Sequence, residues 1–339
     1  MKSEAKYRIT FLVLACILAI FFAMDLFLGS VTISPAEVLN ALSGNEDSIY
    51  RKIIIDFRLP KAITAVLTGM SLSICGMLMQ TLFRNPLAGP YVLGISSGAS
   101  LGVALVMMSG TLLGFEMSAF SGKIGVAFAA CAGGFLSVLL ILAISRKIKS
   151  NVTLLLVGIM IGHIAGAIQS VLEYITSAES LKGFVIWSMG SLGNITWEEM
   201  YIYFPVISIA CLLSYTLAKP LNALLLGESY AFSLGVNVKI TRLKIISITG
   251  ILAGITTAFC GPIAFIGIAM PHICRLLFKT SDHRILITAN LLCGAIALVL
   301  CDVICQLPGT GFVLPVNVAT SLIGAPIVIW LILKHRTLS

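Results

Sequence analysis

The sequence predicts an all-α polytopic membrane protein of about ten transmembrane helices. Three observations carry this. Hydrophobic residues fill 58% of the 339 positions and charged residues only 11%. A soluble domain carries about 25% charged residues, so this chain cannot coat a globule with polar surface, and its mean hydropathy is +1.06. The apolar residues fall in runs able to cross a hydrocarbon core of about 30 Å, which takes roughly 20 helical residues. The basic residues gather on one side of those runs.

In chain order the spans are 9–29, 59–82, 91–109, 121–145, 152–175, 199–218, 240–260, 262–278, 284–306 and 312–333. The first follows Lys2, Lys6 and Arg8, as a signal peptide would, but its apolar run continues past Cys16 to Leu28; it reads as a retained helix. The longest stretch outside the spans is 30–58. Within it, Ser34-Pro35-Ala36-Glu37 reads as a capped start of a short surface helix. The eighth span is short and contains Pro271.

With the N-terminus inside, sixteen of the 22 Lys and Arg lie in cytoplasmic segments. The outer side keeps Arg51, Lys52, Arg58, Lys61, Lys123 and Lys182. Both termini are therefore expected in the cytoplasm. The net charge of +8 thus reports orientation, and no nucleic-acid partner is expected. The nine cysteines form no C-x-x-C pair and sit mostly in apolar runs, as small hydrophobes between helices do. No metal site is read from them. No loop is long enough for a soluble catalytic domain, and no phosphate-binding G-x-x-x-x-G-K-[ST] occurs. Nucleotide chemistry must therefore belong to a partner.

Gly94, Gly98 and Gly102, and again Gly158, Gly162 and Gly166, recur every four residues. Such stripes let helix backbones approach closely in lipid. A shift of 185 residues aligns Ile63 with Ile248, Thr64 with Thr249, Leu67 with Leu252, Gly69 with Gly254, Cys75-Gly76 with Cys260-Gly261 and Pro86 with Pro271. These are seven identities in twenty-four positions, against about two expected from composition. The repeat joins the second and seventh spans, which run in opposite directions, an arrangement found in transporters.

Ionisable residues near mid-bilayer usually mark ion coupling. Here Asp25, Lys61, Glu173 and Asp302 lie toward span ends, and only His163 sits mid-span. It reads as a neutral imidazole hydrogen-bonded between helices or, in the alternative, a proton relay. The segment 219–239 is too broken to span and too apolar for a solvated loop. It is either an amphipathic helix on the membrane surface or a docking element for a cytoplasmic partner.

Several motifs carry a resemblance. Arg58-Leu59-Pro60-Lys61 opens the second span, and GMLMQTLFRNPLAGPYVLGISSGA occupies 76–99. LGESYAFSLGV occupies 226–236, GPIAFIGIAMPHICR 261–275, and Asp282-His283-Arg284 precedes the ninth span. LPVNVATSLIGAPIVIWLIL ends the chain at 314–333. Nearly end to end, these resemble the permease subunits of ABC importers for iron chelates, haem and cobalamin, the FecCD/BtuC-like family.

The resemblance implies the type II ABC importer fold with its inverted repeat, in a bacterial inner membrane. It implies a dimer of two copies, two cytoplasmic ATPases and a periplasmic or lipid-anchored substrate-binding protein. The chain itself would bind no cofactor and catalyse nothing, with ATP and magnesium held by the ATPase. Leu226, Gly227, Glu228, Ala231, Leu234 and Gly235 would form the coupling helices. Gln80 would face the path, and Asn85, Pro86 and Leu87, with Asn151, would form its cytoplasmic gate. Arg58 and Lys61 would face carboxylates on the docking protein, or else snorkel to the interface. The chain departs from the pattern at three places. Gln306 stands where a basic residue is common, Val313 where Glu is usual, and Asn317 where Gly is usual. The expected function is ATP-driven import of a bulky metal chelate (a ferric siderophore, haem or cobalamin). The alternative is a proton-coupled secondary transporter using His163.

Overall fold

The computed structural model describes residues 2–29, 31, 33–43, 49–108, 123–148, 150–306 and 313–336. Every regular element among them is helical. Helix α1 is Lys2–Phe27, α2 Pro35–Ser43, α3 Ile49–Lys52, α4 Leu59–Phe83 and α5 Ile95–Met108. Then come α6 Lys123–Ser145, α7 Asn151–Ile175, α8 Ala178–Ser188, α9 Trp197–Ser214, α10 Ala218–Leu225 and α11 Glu228–Ser233. The last four are α12 Val238–Cys260, α13 Ile266–Phe278, α14 His283–Cys305 and α15 Val316–Arg336. Seven helical segments among the described residues are long and apolar enough to cross a membrane. Three shorter apolar helices, α5, α13 and the part of α15 over Val316–Trp330, complete the ten. Span ends expected at 109, 121 and 312 lie outside the described residues.

Helix α4 is the hub, buried over most of its length and touched by α9, α12, α13 and α14. Lipid provides no hydrophobic drive between helices, so these contacts rest on small residues and hydrogen bonds. A Cβ on Gly69 would fall 2.2 Å from the Gly294 carbonyl oxygen, and one on Gly294 would fall 2.2 Å from that of Gly69. The two backbones therefore touch where both residues lack side chains. Buried hydroxyls add polar ties: Ser73 donates to Asn290 at 2.8 Å, and Thr68 meets the Tyr203 hydroxyl at 2.7 Å. Gly98 and Gly102 press against α6, and Gly158 against the turn before α5, but Gly166 meets nothing within 4 Å.

The two repeat helices pack on each other. Thr68 pairs with Cys260, Ser71 with Thr256 and Cys75 with the Thr249 carbonyl. One residue number rises as the other falls, so α4 and α12 run antiparallel, as the inverted repeat requires.

The short capped helix expected within 30–58 is present as α2, with Ser34 Oγ and Glu37 bonded reciprocally. Two stretches differ from the sequence reading. Ile49–Arg58 continues directly into α4. Ile53–Arg58 is a wide π turn, closed by the Leu59 N–H on the Ile54 carbonyl. Pro60 follows it at the start of α4 and has no N–H to offer the preceding turn, and wide turns are a usual accommodation within helices. Helix α13 begins only at Ile266, because Gly261 and Phe265 have φ of 73° and 67°. At about 1.5 Å per residue, its 13 residues are too short to cross a hydrocarbon core alone.

Candidate functional site

The segment expected to couple to a partner is two short helices, α10 and α11, hinged at Gly227. Gly227 has φ 123° and Gly235 φ 80°, a region that side chains rarely enter. Gly227 turns the chain into α11, whose Ala231 N–H bonds the Gly227 carbonyl at 2.8 Å. Gly235 closes the same helix, bonded to the Phe232 carbonyl at 2.9 Å. Ala231 is fully buried, whereas Leu226 and Leu234 are 65% and 57% exposed and Phe232 75%. An apolar ridge thus stands out at the end of the bundle where α1 begins.

Polar contacts fasten this ridge to the bundle. Asn151 Nδ2 donates to the Leu82 carbonyl at 2.9 Å and to Glu228 Oε1 at 2.7 Å. Arg242 reaches the same carboxylate oxygen at 3.2 Å and the Ile148 carbonyl at 2.9 Å. Arg84 donates to the Leu224 carbonyl at 3.0 Å. Asn222 on α10 donates to Asp282 at 2.7 Å, and its oxygen accepts the His283 N–H at 2.9 Å. The His283 ring contacts Thr81 on α4 at 2.9 Å. Partial burial opposes ionisation of Asp282, but the Asn222 amide and the Arg284 N–H outweigh it and hold its carboxyl below the usual range.

The 84–88 turn lies beside this assembly. Asn85 Oδ1 accepts the Leu87 N–H at 2.9 Å, and His272 bonds the Pro86 carbonyl at 2.8 Å. Leu87 is 44% exposed. Gln80 is buried inside the chain, donating to the Ile268 carbonyl at 3.1 Å and accepting from Arg275 at 2.8 Å. Its amide thus ties α4 to α13. Asn151, grouped with the gate by resemblance, joins Glu228 on α11 to the Leu82 carbonyl at the end of α4.

At the opposite end, both expected docking cations have partners within the chain. Arg58 is buried and donates to the carbonyls of Leu26 at 2.8 Å, Phe27 at 3.1 Å and Val31, capping α1. Lys61 pairs with Asp302 at 2.9 Å. His163 is exposed on α7 and bonds no other helix among the described residues. The expected interhelical hydrogen bond is therefore not formed within one copy, because His163 lies on the face of α7 that the bundle leaves uncovered.

Sequence reasoning missed Arg84, Arg242, Asn222 and His283 as parts of this site. Their signal was a polar or charged residue at the edge of an apolar run. That signal is shared by every snorkelling residue. Asn317, noted only as a departure, accepts the Ala264 N–H at 3.0 Å and donates to the Pro262 carbonyl at 2.6 Å. It thereby satisfies the irregular backbone before α13, which lipid could not do.

A bundle of seven membrane-length and three shorter apolar helices among the described residues, with one firmly tied ridge at one end, has the architecture of a membrane transport permease. The FecCD transport family model matches residues 17–334. The chain is 36% identical over 310 residues to the hemin transport system permease protein HmuU of Yersinia pestis, covering 91% of this chain and 90% of that one. It is 33% identical over 325 residues to the vitamin B12 import system permease protein BtuC of Klebsiella pneumoniae, covering 95% and 93%. Its fold matches a metal-chelate type ABC transporter in an inward-facing conformation with a TM-score of 0.83 at 28% identity, over 96% of this chain and 99% of that one. The chain belongs to the FecCD transport family, the permease subunits of ABC importers.

Proposed function

We propose that this permease carries a bulky metal chelate across the bacterial inner membrane by ATP-driven alternating access. Two copies enclose the path, with both termini in the cytoplasm, and two ATPase subunits receive the α10–α11 ridge. A periplasmic or lipid-anchored binding protein delivers substrate at the opposite end. The chain needs no cofactor of its own, since ATP and magnesium reside on the ATPase. Haem and cobalamin are the favoured cargo because the named relatives carry hemin and vitamin B12; ferric siderophores share their bulk.

One observation carries this reading. The Asn151–Glu228–Arg242 cluster joins the exposed ridge to α4, α7 and α12 at 2.7–3.2 Å. Force applied to Leu226 or Phe232 would pass directly into the gate turn at the end of α4. A partner ATPase is the source of that force. In proteoliposomes holding the whole transporter, uptake should stop when the ATPase is inactivated and should survive His163→Gln. Uptake that persists without ATP hydrolysis overturns the proposal, and its loss to a proton uncoupler with ATP present would favour coupling through His163.

A further inference from the structure

A cavity of about 290 Å³ lies beside the 84–88 turn, between the ends of α4 and α10 and the last turn of α13. Arg84, Arg275, Ser281 and His283 line it. No carboxylate among the described residues does, and neither arginine is within ion-pair distance of one. Asp282, next in the chain to Ser281, is taken up by Asn222 and the Arg284 N–H. Glu228 is taken up by Asn151 and Arg242. Two like charges thus share one small space, with nothing in the chain to offset their repulsion.

Both guanidiniums also have donors to spare. Arg275 gives Nη1 to Gln80 Oε1 at 2.8 Å, and Arg84 gives Nη2 to the Leu224 carbonyl at 3.0 Å. Nε and Nη2 of Arg275, and Nε and Nη1 of Arg84, bond no other group among the described residues. These nitrogens are open to a ligand: Arg84 is exposed, and those of Arg275 are not among the buried, unpaired atoms. Ser281 adds an exposed hydroxyl. His283 adds nothing, since its ring nitrogens already meet Asn222 at 2.7 Å and Thr81 at 2.9 Å. Arg84 has φ 47°, at a helix end where glycine is the usual residue. A large side chain is kept there at a backbone cost.

We propose that this cavity binds a phosphate group, supplied either as free phosphate or as a phospholipid headgroup. A guanidinium is a planar fork that matches a pair of anionic oxygens. A carboxylate has two oxygens and fills one fork, whereas a phosphate group has oxygens enough for both forks and for Ser281. Sites for drug-sized ligands run from about 300 to 1,000 Å³, so a cavity of about 290 Å³ suits a small oxyanion and excludes a whole metal chelate. The bound group joins Arg84, which holds the end of α10, to Arg275, which holds Gln80 on α4. It thereby braces α10 against α13 and α4. This site stands independently of the importer reading above.

The test uses the full-length permease in maltoside micelles, which carry no phosphate. The two probes are inorganic phosphate and phosphatidylglycerol added to the same micelles. One of them should raise the thermal midpoint by about 2–4 °C over chloride at equal ionic strength. A gain with inorganic phosphate assigns the free ion, and a gain with phosphatidylglycerol alone assigns the headgroup. Arg84→Gln and Arg275→Gln should each remove the gain, whatever they do to the starting midpoint. Arg275→Gln also loses the bond to Gln80, so Arg84→Gln decides the matter if the other variant does not fold. Lys279→Gln, at an exposed cation outside the cavity, should keep the gain. No gain from either probe overturns the site, as does a gain that chloride matches, one that survives Arg84→Gln, or one that Lys279→Gln removes.

Discussion

Asn151 Nδ2 donates to Glu228 Oε1 at 2.7 Å and to the Leu82 carbonyl at 2.9 Å. One amide at the first residue of α7 thus holds α11 against the last turn of α4. Leu82 precedes the Arg84–Leu87 turn by two residues, so a shift of α11 cannot leave that turn unmoved while both bonds persist. If a partner ATPase pushes on α11, as proposed, this pair of hydrogen bonds gives the push a short route to the 84–87 turn.

Removing that amide should uncouple the two ends. Asn151→Ala deletes a hydrogen bond to a charged group, worth about 1.5–3 kcal/mol. Reconstituted uptake should fall roughly tenfold or more, while ATP hydrolysis by the assembled transporter continues. Equal loss of hydrolysis and uptake would show that Asn151 serves assembly instead.

Gly227 and Gly235 should differ in what they tolerate. Gly235 has φ 80° and open space around it, so Gly235→Asn should be milder than Gly235→Ala, because Asn visits left-handed backbone more readily. Gly227, at φ 123°, lies where neither residue is comfortable, and both substitutions should cost about 1–3 kcal/mol locally. Binding of the purified ATPase to the permease variants reads this directly.

Asn317→Gly would restore the residue usual in the family and should nevertheless destabilise this chain. It removes bonds of 3.0 Å and 2.6 Å to the Ala264 N–H and the Pro262 carbonyl. Backbone groups left unpaired within a membrane protein cost on the order of 1–3 kcal/mol each. A lower midpoint for thermal inactivation in detergent is expected; an unchanged midpoint would mean other groups take over.

Asp282 gives a pH dependence whose sign is set by its lowered pKa. Its contribution to holding α10 against α14 is complete above the unfolded value of about 3.9 and disappears as pH falls through the lower folded value. Asp282→Asn should therefore weaken the permease at neutral pH and flatten its loss of stability on acidification. Thermal midpoints measured from pH 7 down to pH 3 would decide it.

Much of the bundle was legible in the residues because lipid imposes simple rules. A bilayer demands apolar runs of fixed length, small residues where helices touch, and basic residues on one side. Gly69 and Gly294 illustrate the limit. Both are visible as small residues in apolar runs, but nothing along the chain says that they face each other across 225 positions. The opposed directions of α4 and α12 were readable from the repeat identities at Thr64, Leu67 and Cys75, but their packing on each other was not.

The apolar spans, the stripes of small residues, the capped helix at Ser34 and the broken segment at 219–239 were determined by sequence, since each depends on neighbours within a few turns. The partners of the charges were decided by tertiary structure alone. Arg58 and Lys61 look alike beside Pro60, yet one caps α1 and the other pairs with Asp302, 241 residues away. Local pattern records that a charge must be satisfied in a low-dielectric interior. Which group satisfies it depends on how distant helices cross, and that exists only once the bundle has formed.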